Sequence, residues 1–260
     1  MWPALLLVVW GCATTPRHPS VPLQRPRAPI GLTPTPGVSG TIVVDAGHGG
    51  KDPGTQHNGL REKDLNLDIV RRLRTELKAR GLAAVLTRDR DEFIPLSQRP
   101  DVANRIAADL FVSVHINASR NRRVSGFEVY YPRESVVNGA TAGLPPGVEP
   151  AEVAQPSASI RQILWDLFMR HSRRDSTRMA SYICRSMRER VGARCRGIKG
   201  ARFVVLREAQ MPAVLVEVGY VTNRSDAARL ASPSYRQAVA EAIADGVAAY
   251  LRERNGQRKS

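Results

Sequence analysis

Three short β-branched runs in this chain each lead into a residue that can bind a metal or move a proton. Ile42-Val43-Val44 ends in Asp45 and opens a glycine-punctuated loop that carries His48. The run LFVSVH ends in His115, and AVLVE ends in Glu217. Short apolar runs bounded by turn residues read as buried strands. Between the first run and the next, residues 82–87 (LAAVLT), lies a helical pattern with Leu65, Ile69, Leu73 and Leu77 at helical spacing and Gly81 as its C-cap. This strand–helix–strand order demands a parallel sheet with a right-handed crossover. Sites in such sheets form outside the carboxyl ends of the strands. The three polar residues are therefore expected at one rim.

The remaining pattern predicts a helix over 97–108, with Pro100 tolerable only in its first turn, a strand over 126–131 and a helix over 176–191. Strands over 202–206 and 213–217 and a closing helix over 234–251 follow. Residues 132–174 form a long insert, Gly/Pro-rich over 138–156 and then amphipathic over 160–169. A connection of this length inside a compact domain is functional or disordered. The division expected is a leader over 1–12, an extended Pro/Thr/Arg-rich tether over 13–40, one catalytic-sized domain over 41–252 and a polar tail over 253–260.

Residues 4–11 are apolar but too few to span a bilayer, and they read as a signal h-region. The sequence Val9-Trp10-Gly11-Cys12 resembles a bacterial lipobox, which implies lipidation at Cys12. Trp10 is bulky for its position, and no Lys or Arg precedes the apolar run. With Cys12 used that way, Cys184 and Cys195 remain as an even pair; export permits a bridge between them, and two free thiols are the alternative. The net charge of +15 favours anionic partners: nucleic acid, an anionic membrane face or a polyanionic wall. No RNP motif, zinc-finger spacing or aromatic-interleaved basic tract is present, so nucleic acid is not expected.

His48, Glu62 at the head of the first helix and His115 make up two imidazoles and one carboxylate. Hydrolytic zinc sites use such a set and leave the fourth position to water. The donors favour Zn²⁺ over Mg²⁺ or Ca²⁺, which prefer oxygen-only shells. A base that is not a ligand is also needed. Glu217, flanked by apolar residues, fits, with its pKa raised by burial. Each residue has a plainer reading: a structural histidine, a helix-dipole carboxylate at Glu62, a buried ion-pair partner at Glu217. Asp45 and Asp64 read as loop or cap residues, His57 as a loop residue, and His18 and His171 as solvated. The loop glycines are expected to keep bulk away from the metal so that a large substrate can approach.

The segments IVVDAGHGGKDPG, GLREKDLNLDIV, ADLFVSVHINAS, GFEVYY and MPAVLVEVGYVTN, in this order, resemble the zinc-dependent N-acetylmuramoyl-L-alanine amidases, bacterial cell-wall hydrolases with the type-3 catalytic domain. The resemblance implies an α/β fold with a central, mostly parallel six-stranded sheet flanked by helices on both faces. It implies one Zn²⁺ held by His48, Glu62 and His115, with Glu217 as the catalytic residue. Asn117 and Arg207 match positions assigned to substrate binding or site support. The implied substrate is peptidoglycan, cleaved between N-acetylmuramic acid and L-alanine in wall remodelling or cell separation. Family members with such an insert are held closed by it until an activator protein with a degenerate peptidase-like domain displaces it. Glu149 and Glu152 could then occupy the open metal position. The implied setting is a monomer in the periplasm of a Gram-negative bacterium, anchored to the membrane through Cys12. The alternatives are another zinc wall hydrolase, such as a stem-peptide carboxypeptidase, or a non-catalytic zinc-containing wall-binding protein.

Overall fold

The computed structural model describes residues 40–135, 138–139, 142–146, 148 and 156–257. The leader and tether expected from the sequence, including Cys12 and His18, lie outside the described residues, as do Glu149 and Glu152. The chain runs β1 (Thr41–Ala46), the small hairpin β2 (Gln56–His57) and β3 (Leu60–Arg61), α1 (Glu62–Ala79), β4 (Ala83–Leu86), α2 (Gln98–Arg105), β5 (Leu110–Asn117) and β6 (Phe127–Pro132). It continues through α3 (Ala158–Val191), β7 (Cys195–Ala201), α4 (Val204–Arg207), β8 (Ala213–Tyr220), α5 (Arg224–Ala231) and α6 (Pro233–Gln257).

Six strands form one sheet in the order β4-β1-β5-β8-β6-β7. The first four are parallel; β6 runs antiparallel to β8, and β7 runs parallel to β6. Strand alternation divides the core into two layers. Ile42, Val44 and Ala46 pack with Ile69 and Leu73 of α1, and with Met179, Ile183, Ile243 and Val247 of α3 and α6. Val43 and Phe111 face the opposite way, against Ala103 of α2 and Val205 and Leu206 of α4. Helices therefore cover both faces, as expected. Gly246 lets α6 approach α3 closely, because a Cβ there would lie 2.6 Å from the Ile183 Cα.

Four expectations change. Residues 202–206 are not a strand. Extended backbone at Phe203 is followed by the short helix α4, whose turn buries Val205 and Leu206 in the second layer. The strand lies earlier, at CRGIKGA, where two glycines and two basic residues suit an exposed sheet edge rather than an apolar run. The two helical runs of the insert and of 176–191 are one helix of 34 residues, capped by Ser157 and ended by Gly192 in the left-handed region. No Gly or Pro interrupts it, and its polar middle buries Ser172, Asp175 and Ser176. α5, capped by the Asn223 side chain, has no counterpart in the sequence reading. α6 continues to Gln257 into the segment read as a polar tail, and Glu253 is held there by Arg178.

Cys184 of α3 and Cys195 of β7 are disulfide-bonded, with Cα atoms 6.1 Å apart, within the range a bridge requires. The pair spans a sequence separation of 11, for which loop-closure entropy gives about 3 kcal/mol. Replacing both cysteines with serine should lower the unfolding free energy in urea by about that amount. A reductant should then shift the wild-type midpoint but not that of the variant.

Candidate active site

His48, Glu62 and His115 meet although 67 residues separate the first from the last by number. They reach one point because β1 and β5 are neighbours and the loop after β1 folds back onto the start of α1. His48 Nε2 and His115 Nδ1 each lie 3.1 Å from the same Glu62 oxygen, Oε1. Their donor atoms all fall within 4.8 Å of one another. Neighbouring ligands around a tetrahedral ion bound at about 2.0–2.1 Å stand roughly 3.3 Å apart. The donor set and its spacing therefore fit a transition-metal ion.

Glu62 is the fixed member. It is 3% exposed. Its Oε2 accepts from Thr55 N at 2.9 Å, and Oε1 accepts from Ile116 N at 3.0 Å. Burial opposes its ionisation, but the two imidazoles outweigh this and hold its carboxyl well below the usual range. Burial likewise disfavours a charged His48, yet Glu62 and Asp52 push it up to about 9. Asp52 bonds His48 Nδ1 at 2.7 Å and so leaves Nε2 facing Glu62. A carboxylate behind a ligand imidazole fixes its tautomer and orientation. The sequence reading missed Asp52; its position four residues after His48 in the same loop was the available signal.

Gly47 and Gly54 make room for the His115, Glu62 and His48 side chains themselves. A Cβ on Gly47 would fall 2.3 Å from the His115 ring, and one on Gly54 would fall 2.6 Å from both Glu62 Oε2 and the His48 ring. His48 itself sits at φ 61°, in the sparsely populated left-handed region.

That backbone is held from behind by buried cations. Arg99 donates to Ala46 O (2.6 Å), His48 O (3.0 Å) and Asp45 Oδ1 (3.0 Å). Arg88 donates to Ala46 O (3.0 Å), Gly47 O (2.9 Å) and Lys63 O (3.0 Å). Lys63 Nζ reaches Gly50 O at 2.8 Å. Asp45 is no loop or cap residue: it is fully buried in β1, where it also accepts from Thr87 Oγ1 and Ser113 Oγ, both at 2.7 Å.

Glu217 stands directly opposite His115 across the β5–β8 pair and opposite Glu128 across the β8–β6 pair. Its Oε2 is buried without a hydrogen-bond partner among the described residues. Burial, aided by the charges of Glu62 and Glu128, pushes its carboxyl up to about 7. Glu128, which the sequence reading passed over, is buried, pairs with Lys199 Nζ at 2.6 Å and accepts from the Tyr130 hydroxyl.

The other expected site residues make no hydrogen bond or ion pair to this cluster among the described residues. Asn117 ends β5, and its Oδ1 accepts from Ala118 N at 2.7 Å. Arg207 ends α4, with Nε buried and without a hydrogen-bond partner among the described residues. Asp64 pairs with Arg61, and His171 with Asp175. His57 lies in β2, outside the ligand cluster.

A carboxyl raised above its unfolded value stabilises the fold while it is protonated. For Glu217 that contribution is complete below pH about 4.5 and lost as pH rises through about 7. In chelator-treated protein, Glu217→Gln should raise the unfolding free energy above pH 7, by up to about 3 kcal/mol, and leave it unchanged near pH 4. Denaturation curves at the two pH values check this. An equal effect at both would mean that Glu217 ionises without strain.

Residues 42–249 match the family described as N-acetylmuramoyl-L-alanine amidase. The chain is 36% identical over 217 residues to the N-acetylmuramoyl-L-alanine amidase LytC of Bacillus subtilis, covering 84% of this chain but only 36% of that longer protein. It is 34% identical to the amidase AmiA of Escherichia coli, covering 81% of this chain and 75% of that protein. The solved amidase AmiC2 of Nostoc punctiforme superposes with a TM-score of 0.63 at 36% identity, covering 81% of this chain and 96% of that one. The chain belongs to the N-acetylmuramoyl-L-alanine amidase family.

Proposed function

We propose that this chain hydrolyses the amide between N-acetylmuramic acid and L-alanine in peptidoglycan, with zinc as its metal and Glu217 as its base. The observation that carries this reading is the convergence of two imidazole nitrogens on one Glu62 oxygen, with the buried, unpartnered Oε2 of Glu217 on the next strand. A zinc ion held by His48, Glu62 and His115 would polarise the scissile carbonyl and acidify a bound water. Glu217 takes the proton of the attacking water and returns it to the leaving L-alanine amine. A carboxyl near pH 7 suits both transfers. Asp52, bonded to His48 Nδ1, aims Nε2 at the metal position. Asn117 and Arg207 support the substrate at the edges of this site.

The chain is exported in this reading and acts on the wall from a lipid anchor at Cys12, with residues 13–40 as the tether. Residues 132–174 hold the enzyme in a closed state through Glu149 or Glu152 until an activator protein engages the insert. The part of the insert that is described supports a rigid arm. Trp165 of α3 is buried, donates to Gly143 O at 2.7 Å, and packs where a Cβ on Gly139 would collide with it.

Purified sacculi should yield free amino sugar chains and intact stem peptides. Release of a C-terminal amino acid instead would make the chain a carboxypeptidase, and no release would leave only wall binding. Glu217→Gln should lower kcat by at least about 100-fold while retaining one zinc per chain; undiminished turnover would remove Glu217 from the base role. The double variant Glu149→Gln with Glu152→Gln should raise basal turnover several-fold in full-length protein. An unchanged rate would exclude both carboxylates as blocking groups. Cell fractionation should find Cys12→Ser in the soluble fraction, and continued membrane association would refute the anchor.

A further inference from the structure

The reversal of strand direction between β8 and β6 has a consequence for charge. The carboxyl ends of β5 and β8 and the amino ends of β6 and β7 all reach the same rim of the sheet. Three segments meet there, residues 117–125, 194–197 and 219–225, and between them they hold six arginines and no Asp or Glu. Backbone and side-chain bonds lace them together. Val221 N donates to Asn117 O at 3.0 Å, Ser119 N to Thr222 Oγ1 at 2.9 Å, and Asn223 Nδ2 to Arg122 O at 2.8 Å. Phe127 N donates to Arg194 O at 3.0 Å, and Arg196 Nη1 to Ser125 O at 3.4 Å.

Arg120, Arg122, Arg123, Arg194 and Arg224 are exposed, and none of them forms an ion pair among the described residues. Arg196 lies over the Tyr220 ring and 3.5 Å from Glu128. The adjoining acid, Asp226, is buried and committed to Gly126 N and Tyr220 N, at 2.8 and 3.1 Å. The other flank of the site is mixed: Lys63 pairs with Asp91, Arg61 with Asp64 and Arg90 with Glu92. On the helical face, Arg178 and Arg190 are matched in the same way, by Glu253 and Asp245. A cluster of unmatched guanidiniums repels itself and is held together only by the loops that carry it. It begins just past the end of β5, five residues beyond His115.

We propose that this arginine rim is the surface that recognises the carboxylates of the wall's stem peptides, setting the direction in which the glycopeptide lies across the site. The guanidinium fork is the side chain best matched to a planar carboxylate. The proposal rests on the amidase reading for its substrate, and it adds an orientation. The peptide leaving with L-alanine runs over β8, β6 and β7, and the sugar chain occupies the mixed flank near β1 and β4.

The test compares soluble muropeptides with free stem carboxylates against the same muropeptides with those carboxylates amidated. In the triple variant Arg120→Gln, Arg122→Gln, Arg123→Gln, KM for the free-carboxylate substrate should rise about tenfold, and its dependence on salt should shrink. KM for the amidated substrate should change far less, and kcat should hold for both. Removing charge at the opposite pole, with Arg105→Gln and Arg252→Gln, should leave both KM values in place. Equal KM increases for the two substrates, or none, would overturn the proposal. So would loss of binding to vesicles of anionic phospholipid with KM unchanged, which would assign the rim to a membrane. Calorimetric titration of the free-carboxylate muropeptide is run on the same proteins. If neither wild type nor the double variant Glu149→Gln with Glu152→Gln cleaves either substrate, the amidase reading fails. The rim then stands if the triple variant loses that binding at least tenfold, and falls if it does not.

Discussion

Asp45 and Arg99 meet at 3.0 Å with neither side chain open to water. A buried ion pair of this kind adds little net stability over apolar packing of the same volume, but losing one partner strands a charge at roughly 3–5 kcal/mol. Its effect here is positional. Arg99 joins the end of β1 to the carbonyls of Ala46 and His48, and Arg88 adds those of Ala46 and Gly47. Arg88 has no carboxylate among its hydrogen-bond acceptors, and burial beside Arg99 pushes its guanidinium below the usual range. Two cations buried under one loop are sustained by the backbone oxygens they reach and, for Arg99, by the Asp45 carboxylate. The left-handed backbone at His48, and with it the direction of the imidazole, depends on that arrangement.

Above the clamp, the site is a set of opposed charges waiting for one more. Glu62 is ionised against burial by two imidazoles, whereas burial and two nearby carboxylates push the Glu217 carboxyl up to about 7. Both glutamates neighbour His115 yet are shifted in opposite directions, and only one of them has donors. Glu62 receives Thr55 N and Ile116 N; Glu217 Oε2 receives nothing among the described residues. Such divergence between neighbouring acids is what the proposed division into a ligand and a base requires. It also carries a stability penalty, which a functional site tolerates.

The same sheet sets the surroundings. Because β6 returns antiparallel to β8, loops distant in sequence share one rim, and the arginines of three loops collect at the carboxyl end of β8. The disulfide between α3 and β7 fastens this half of the sheet to the long helix that continues from the insert.

Much of this was legible in the residues alone. Short apolar runs bounded by turn residues marked β1, β5 and β8, and helical spacing marked α1, since burial of a strand on both faces or of a helix on one imposes those patterns locally. Residue chemistry at the strand ends then marked His48, Glu62, His115 and Glu217. Other features had no local signal. CRGIKGA is an edge strand with one neighbour and needs no apolar run, while VVLR is a helical turn because the second core layer takes Val205 and Leu206 from that side. Asp45 read as a loop residue because its partners, Thr87, Arg99 and Ser113, stand 42 to 68 residues away. By itself, then, the sequence determined which groups can bind a metal and which can move a proton, for those are properties of side chains. Only the tertiary structure decided which glutamate is held ionised, which is pushed toward neutrality, and which way His48 points. These follow from burial and from hydrogen-bond partners that the fold brings together from distant parts of the chain.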